Sequence, residues 1–289
     1  MNVDEALVSR RRLAISAAVL TIFFAAVLAE YWPDLAIAVM RVANSARSVG
    51  ADKVESRYFD VVNRSNAGTG QVRGVISKLE GQVEAILEHT QAAPPAEPIP
   101  VLLSNGTGPA LTDGSQIMLS YAGGRVNVDL APMFLVWIIE GIPVNPQDGL
   151  VPAGGYALRV VEASGLGDEM IRQPLDHWVL LLHERKVYMP LEEAWVLVMP
   201  SDEAGAYNLM RGLLEAGSFM SWLDKTYGEE TAGLLARGET IETLTGKTLA
   251  EIEAEWLRSL EAQAINPKSC TAAIPQSSLF RLLCRNMDS

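Results

Sequence analysis

Any chemistry this chain performs must draw on few residues. Three histidines, His89, His177 and His183, and two cysteines, Cys270 and Cys284, occur in the whole sequence. A zinc helix of the H-E-x-x-H kind places imidazoles at i and i+4 on one face, with the intervening Glu as base for a bound water. His183 and Glu184 begin such a pattern, but the position four beyond His183 is Val187. His177 and His183 are six positions apart, which on a helix turns them by roughly 240° and sends them to different sides. No metal-ligand set and no cofactor is therefore predicted. A G-x-S-x-G elbow, a Walker loop and a G-x-G-x-x-G are also missing, and Gly106-Thr107-Gly108 lacks the following helix signals that a phosphate cradle needs. Spacing assigns no base to Ser104, Ser115 or Ser120. Asp176, His177 and Glu140 could be drawn as an acid–base set. The simpler reading is a helix cap, a half-buried histidine and a carboxylate without a catalytic task, so no catalytic residue is predicted.

The element that decides where such residues work is the run 13–32, LAISAAVLTIFFAAVLAEYW, which carries no charge before Glu30. At 1.5 Å per residue it spans a hydrocarbon core of roughly 30 Å, and Tyr31-Trp32 suits a headgroup layer. A single transmembrane helix is expected. Arg10, Arg11 and Arg12 precede it, whereas Glu30 and Asp34 follow, which puts the N-terminus in the cytoplasm and the rest outside the inner membrane. Val27-Leu28-Ala29 would also pass as a signal-peptidase site, but the run is longer than a usual h-region of about 7–15 residues. Ala14, Ala18, Thr21, Ala25 and Ala29 form a small-residue seam that would let another membrane helix approach; the alternative is that alanine is simply tolerated in lipid. The net charge of -12 argues against nucleic acid and against docking on anionic lipid, both of which need clustered Lys and Arg. On the oxidising side of the membrane Cys270 and Cys284 are expected to form a disulfide.

In order, the sequence predicts a cytoplasmic N-terminus at 1–12, the membrane helix at 13–32 and a helical stalk at 33–91. Leu35, Val39, Val42 and Ala46 make one helical face of this stalk. Val72, Ile76, Leu79, Val83, Ile86 and Leu87 make a second, beyond a flexible break at Asn66-Ala67-Gly68-Thr69-Gly70. His89 closes that second helix. The proline-rich run 92–100 reads as an extended linker and a domain boundary. An extracytoplasmic domain over 101–265 opens with short strands at 101–103, 116–121 and 125–128, turning at Gly123-Gly124. Helices follow at 131–140, 175–184, 203–227, 229–236 and 249–263. Asp202 would cap the long one, and Thr248 with Glu251 would form a capping box on the last. Residues 266–289 form a C-terminal arm whose Leu279, Phe280, Leu282 and Leu283 must cover an apolar surface. The fold class expected is α+β, mainly helical, with a small sheet and a C-terminal helical bundle.

Residues 206–260 resemble the C-terminal helical part of peptidase-MA-like proteins, the gluzincin-type zinc peptidases. The matching elements are Glu215-Ala216-Gly217-Ser218-Phe219, then Trp222-Leu223 and Tyr227-Gly228, and the closing helix from Leu249 to Trp256. Upstream, Trp137-Ile138-Ile139-Glu140-Gly141-Ile142 looks like the W-x-x-E-G-x-A segment whose Glu is that family's third zinc ligand. Residues 175–191, ending in Pro190-Leu191, resemble the helix and loop that follow it. The resemblance implies a degenerate zincin-like domain in which Glu140 occupies a former ligand position, since the H-E-x-x-H that would supply the other two is missing.

The function expected is that of a pseudoenzyme: a membrane-anchored accessory or structural subunit of a larger complex, with photosynthetic and respiratory assemblies as natural hosts. Its partners would be integral membrane subunits, met through the membrane helix, the stalk and the C-terminal arm, and the bilayer itself. Two rival classes remain, a periplasmic hydrolase with an unrecognised site and a peptide- or protein-binding factor using the old substrate cleft.

Overall fold

The computed structural model describes residues 52–107, 110–112, 114–143, 150–198, 202–263, 283–285 and 287. The expected membrane helix at 13–32 with its alanine seam, the face from Leu35 to Ala46, and Cys270 all lie outside the described residues.

The first described segments are strands. β1 (Asp52–Glu55) and β2 (Phe59–Asn63) are joined by a turn in which Ser56 N–H donates to the Phe59 carbonyl at 2.9 Å. Helix α1 (Thr69–Thr90) then carries the chain to β3 (Ile99–Asn105), which lies parallel to β2 with Phe59 opposite Ile99 and Val61 opposite Val101. A parallel pair needs such a crossover, usually a helix. β4 (Leu111–Thr112) turns into β5 (Ile117–Ala122), which is parallel to β3, and β6 (Arg125–Asn127) returns antiparallel to β5. The sheet order is β1-β2-β3-β5-β4, with β6 sharing the outer edge of β5. Phe59, Val61, Ile99, Val101, Leu103, Ile117 and Leu119 alternate with more exposed neighbours and bury one face of this mixed sheet.

This topology corrects the expected fold class. Over the described residues 52–91 the expected stalk does not hold, nor does the boundary at 92–100: α1 buries Val72, Ile76, Leu79, Val83 and Ile86 in the main core, and the proline run leads straight into a central strand. The buried positions Phe59, Val61 and Asn63 follow the two-residue period of strands, which a search for a helical stalk passes over. The expected flexible break is a tied turn, in which Asn63 Nδ2 donates to the Ala67 carbonyl and Asn66 N–H to Asn105 Oδ1. Among the described residues no helix is long and apolar enough to cross a membrane.

The helices that follow are α2 (Ala131–Glu140), α3 (Val151–Ala163), α4 (Gly167–Met170), α5 (Leu175–Glu184), α6 (Leu191–Trp195), α7 (Glu203–Tyr227), α8 (Thr231–Ala236), α9 (Ile241–Thr245) and α10 (Leu249–Glu261). α2 is apolar almost all round and is buried from Ala131 to Trp137. It ends at Gly141, whose left-handed φ of +60° lets its N–H reach the Trp137 carbonyl. α7 starts where Asp202 accepts from Gly205 N–H at 2.7 Å, and α10 starts in the Thr248 and Glu251 capping box. The centre of the helical layer is the packing of α3 on α7, a contact that small residues allow. A Cβ on Gly155 would lie 2.5 Å from Ala216 Cβ and 2.9 Å from the Ala216 carbonyl carbon, so no larger residue fits. Sequence reading missed α3 because Pro152, Gly154 and Gly155 resemble a break; proline is harmless in a first helical turn, and the glycines serve the close approach.

Trp256 is fully buried on α10 and packs edge-on to Phe219 with ring centroids 5.5 Å apart. Trp222 is only half-buried and stacks on Phe219 with ring centroids 6.2 Å apart. At the C-terminus Leu283, Cys284 and Met287 are buried, while Arg285 reaches Glu203 at the start of α7. Cys284 is disulfide-bonded.

Candidate functional site: a charged cleft at three helix ends

The C-terminal ends of α1, α2 and α7 converge with α3 and α8 around a half-open cleft of about 990 Å³. α3 supplies Tyr156 and Arg159 to its floor, α2 supplies Glu140, α7 supplies Asp224 and Lys225, and α8 supplies Arg237 just beyond its end. His89 enters from the last turn of α1.

Two ion pairs organise this floor. Arg159 Nη2 lies 2.8 Å from Asp224 Oδ2, with side chains 16% and 5% exposed. Asp224 Oδ1 accepts the Ala232 N–H at 2.8 Å, so this carboxylate also fixes the start of α8. Burial pushes the Asp224 carboxyl above its ordinary range, against the opposing pull of the Ala232 N–H and of Arg159. The second nitrogen of Arg159, Nη1, lies 3.4 Å from His89 Nε2. An arginine can only donate, so this contact requires a neutral imidazole with its lone pair on Nε2. Burial first, and the Arg159 charge second, lower the His89 pKa in the same sense.

The other pair joins Arg237 Nη2 to Glu140 Oε2 at 2.9 Å, with Arg237 41% exposed and the Glu140 side chain 11% exposed. Arg237 also reaches the Glu140 main-chain carbonyl at 3.4 Å. The grip is single-sided. Glu140 Oε1 is fully covered and has no hydrogen-bond partner. Burial, followed by the nearby Glu140 charge, raises the Tyr156 hydroxyl pKa.

A second polar cluster lies away from this cleft and does structural work. Glu215, fully buried on α7, accepts the Met189 N–H at 3.0 Å, and desolvation holds its carboxyl well above the usual range. Glu253 on α10 accepts the Leu191 N–H at 2.9 Å and the Tyr188 hydroxyl. The two carboxyls clamp the segment 187–191 from opposite helices. His183 stacks on Tyr188 at 4.1 Å rather than facing another histidine.

The remaining sequence candidates scatter. Asp176 does not cap α5; it sits in the first turn and accepts the hydroxyl of Ser218, which is fully buried and so closed to any substrate. The capping role falls to Glu162 of α3, whose Oε1 accepts Leu175 N–H at 2.7 Å. Glu140 therefore does not meet Asp176 and His177 in an acid–base set. Its neighbours are His89, Tyr156 and Arg237. Among the described residues no group of three or more His, Cys, Asp or Glu side chains is placed to hold a metal ion. Sequence reasoning missed Arg159, Asp224 and Arg237. The signal available for the first two was a lone charge inside an otherwise apolar helical stripe, Arg159 between Leu158 and Val160, and Asp224 beside Leu223.

No family model matches the chain, and no curated protein or solved structure matches it either.

Proposed function

We propose that the chain is a non-catalytic accessory subunit of a larger membrane-associated assembly. One observation carries the non-catalytic half: the carboxylate at the position that the peptidase-MA resemblance gives to a zinc ligand, Glu140, is paired with the guanidinium of Arg237 at 2.9 Å. A cation of the chain itself stands beside this carboxylate, supplying charge of the sign that a divalent metal would bring. Asp224 is likewise committed, to Arg159 and to Ala232 N–H. A general acid or base needs a movable proton within reach of substrate, and the one neutral histidine of the cleft is turned toward Arg159.

The membrane half rests on the amino-acid sequence alone, on the apolar residues 13–32 behind Arg10, Arg11 and Arg12; the positive-inside bias supports an extracytoplasmic side for the folded part. The disulfide at Cys284 suits that oxidising compartment. The test is purification from mild detergent with elemental analysis of the product. The expected result is a chain that stays stoichiometric with one large complex and carries no transition metal. One zinc per chain, lost in Glu140→Gln, would restore the enzyme reading, and a chain that runs alone would remove the subunit reading.

A further inference from the structure

The cleft has an unmet need for a hydrogen-bond donor. Glu140 Oε1 is buried without a partner, and a buried acceptor left unmade costs roughly 1–3 kcal/mol, more when it is charged. The resident cation does not meet the need. A guanidinium can grip both oxygens of a carboxylate at once, yet Arg237 holds Oε2 alone and remains 41% exposed. It lies over the carboxylate as a partly solvent-exposed cover. Gly233 leaves the room for that cover, since a Cβ there would come within 3.0 Å of Arg237 Nη1 and 3.5 Å of the Tyr156 hydroxyl oxygen.

The electrostatics of the walls select the sign of a ligand. Glu140, Asp224, Glu229 and Glu230 face the cleft, against Arg159, Lys225 and Arg237. Arg159 and Asp224 cancel each other at 2.8 Å, which leaves three carboxylates, Glu140, Glu229 and Glu230, against two cations, Lys225 and Arg237. Three helices, α1, α2 and α7, also end here, and each C-terminus carries a partial negative charge of about one half. If Arg237 swings out, what stays behind is a carboxylate with neither oxygen partnered, among three negative helix ends, in a cleft of about 990 Å³. That volume admits a side chain but not a folded domain.

We propose that this cleft binds a cationic side chain, arginine or lysine, presented by an extended segment of a partner polypeptide, and that the incoming cation displaces Arg237 from Glu140. Arg237 is then a resident stand-in for the ligand. It keeps the carboxylate folded-in while the site is empty and competes with the partner when it arrives. The site does not depend on the accessory role proposed above: co-purification can fail while the cleft still binds its cation, and the reverse.

The test measures calorimetric binding of a blocked Gly-Arg-Gly tripeptide, a blocked Gly-Glu-Gly tripeptide and spermidine to the full chain. Arg237→Ala should bind the arginine peptide at least fivefold more tightly than the unaltered chain, because a competitor and a like charge are both removed. Glu140→Gln should weaken binding at least tenfold, and the double variant should behave like Glu140→Gln alone. Should Glu140→Gln fail to fold, Glu229→Gln on the exposed rim should still weaken binding two- to threefold. The proposal is overturned if Arg237→Ala binds the arginine peptide no more tightly than the unaltered chain, or if the glutamate peptide binds as well. Spermidine binding more tightly than the peptide would overturn the polypeptide partner in favour of a free polyamine.

Discussion

Replacing Gly155 by alanine should destabilise the fold, although alanine is the better helix former. Two opposing effects decide the outcome. Alanine for glycine in a helix interior favours folding by about 1 kcal/mol. Against this, the new methyl carbon would sit 2.5 Å from Ala216 Cβ, 2.9 Å from the Ala216 carbonyl carbon and 3.1 Å from Gly217 N. Two of these atoms belong to the backbone of α7, so no rotamer change relieves the overlap and α3 must move off α7. Overpacking of a rigid core costs typically about 1–3 kcal/mol, and contact with backbone puts this case at the upper end or beyond. A net loss of about 2 kcal/mol is expected. Gly154→Ala tests the argument by contrast, because its closest contact, at 2.2 Å, is Leu213 Cδ2, the far end of a flexible side chain. That variant should lie within about 1 kcal/mol of the parent. Gly74→Ala and Gly81→Ala on the exposed side of α1, with nothing within 4 Å, should gain up to about 1 kcal/mol each. Urea unfolding followed by tryptophan fluorescence gives all four values. If Gly155→Ala were as stable as the parent, the close approach of α3 to α7 would be wrong, and with it the placement of Tyr156 and Arg159 in the cleft.

Three further outcomes are expected. Glu215 is held neutral by burial, so above the ordinary carboxyl pKa the unfolded chain ionises while the native chain keeps its proton. Stability should therefore fall as pH rises from about 4.5 toward the raised native value; Glu215→Gln, which keeps an acceptor for Met189 N–H, should flatten that slope in urea titrations at several pH values, and a slope equal to the parent's would refute the assignment. Trp256→Ala should cost about 3–5 kcal/mol because the indole is wholly buried, whereas half-buried Trp222 should cost clearly less, so equal losses would contradict the packing. Thr248→Ala removes the cap on Glu251 N–H and should cost about 1 kcal/mol, read as a lower melting temperature; Glu251→Gln, which keeps a partner for Thr248 N–H, should cost less.

What could be read from the sequence was what local chemistry dictates. The apolar face of α1 from Val72 to Ile86, the glycine turn at 123–124, the Asp202 and Thr248 caps and the left-handed Gly141 all announce themselves within a few residues. What could not be read was whatever depends on a distant partner. The proline run at 92–100 looks like a boundary because prolines cannot continue a helix, yet the residues after it are bonded along their length to β2, some forty positions earlier. A linker and a crossover loop have the same local composition, and only the register of Val61 with Val101 tells them apart. Gly154 and Gly155 present the same ambiguity, since a glycine that breaks a helix and a glycine that lets two helices touch are identical until Ala216 is placed beside it.

The same reasoning explains why Glu140 was legible as a residue of interest but not as a member of its site. Its position at the end of an apolar helix marks it, because a carboxylate there faces the negative end of its own helix dipole and gains nothing locally. Such a residue must be held by something from elsewhere. Candidates near in sequence point to Asp176 and His177, and the family resemblance to a former ligand position without its metal. The structure supplies Arg237, ninety-seven positions away. A single arginine just past the end of a short helix such as α8 carries no periodic signal, and its charge is ordinary in a chain with 23 Lys and Arg. Its meaning comes only from geometry: one guanidinium nitrogen on one carboxylate oxygen, with the second oxygen left bare. That asymmetry separates a closed structural pair from a site still able to accept a donor, and it is the reason the cleft, rather than the scattered histidines, is where binding should be sought.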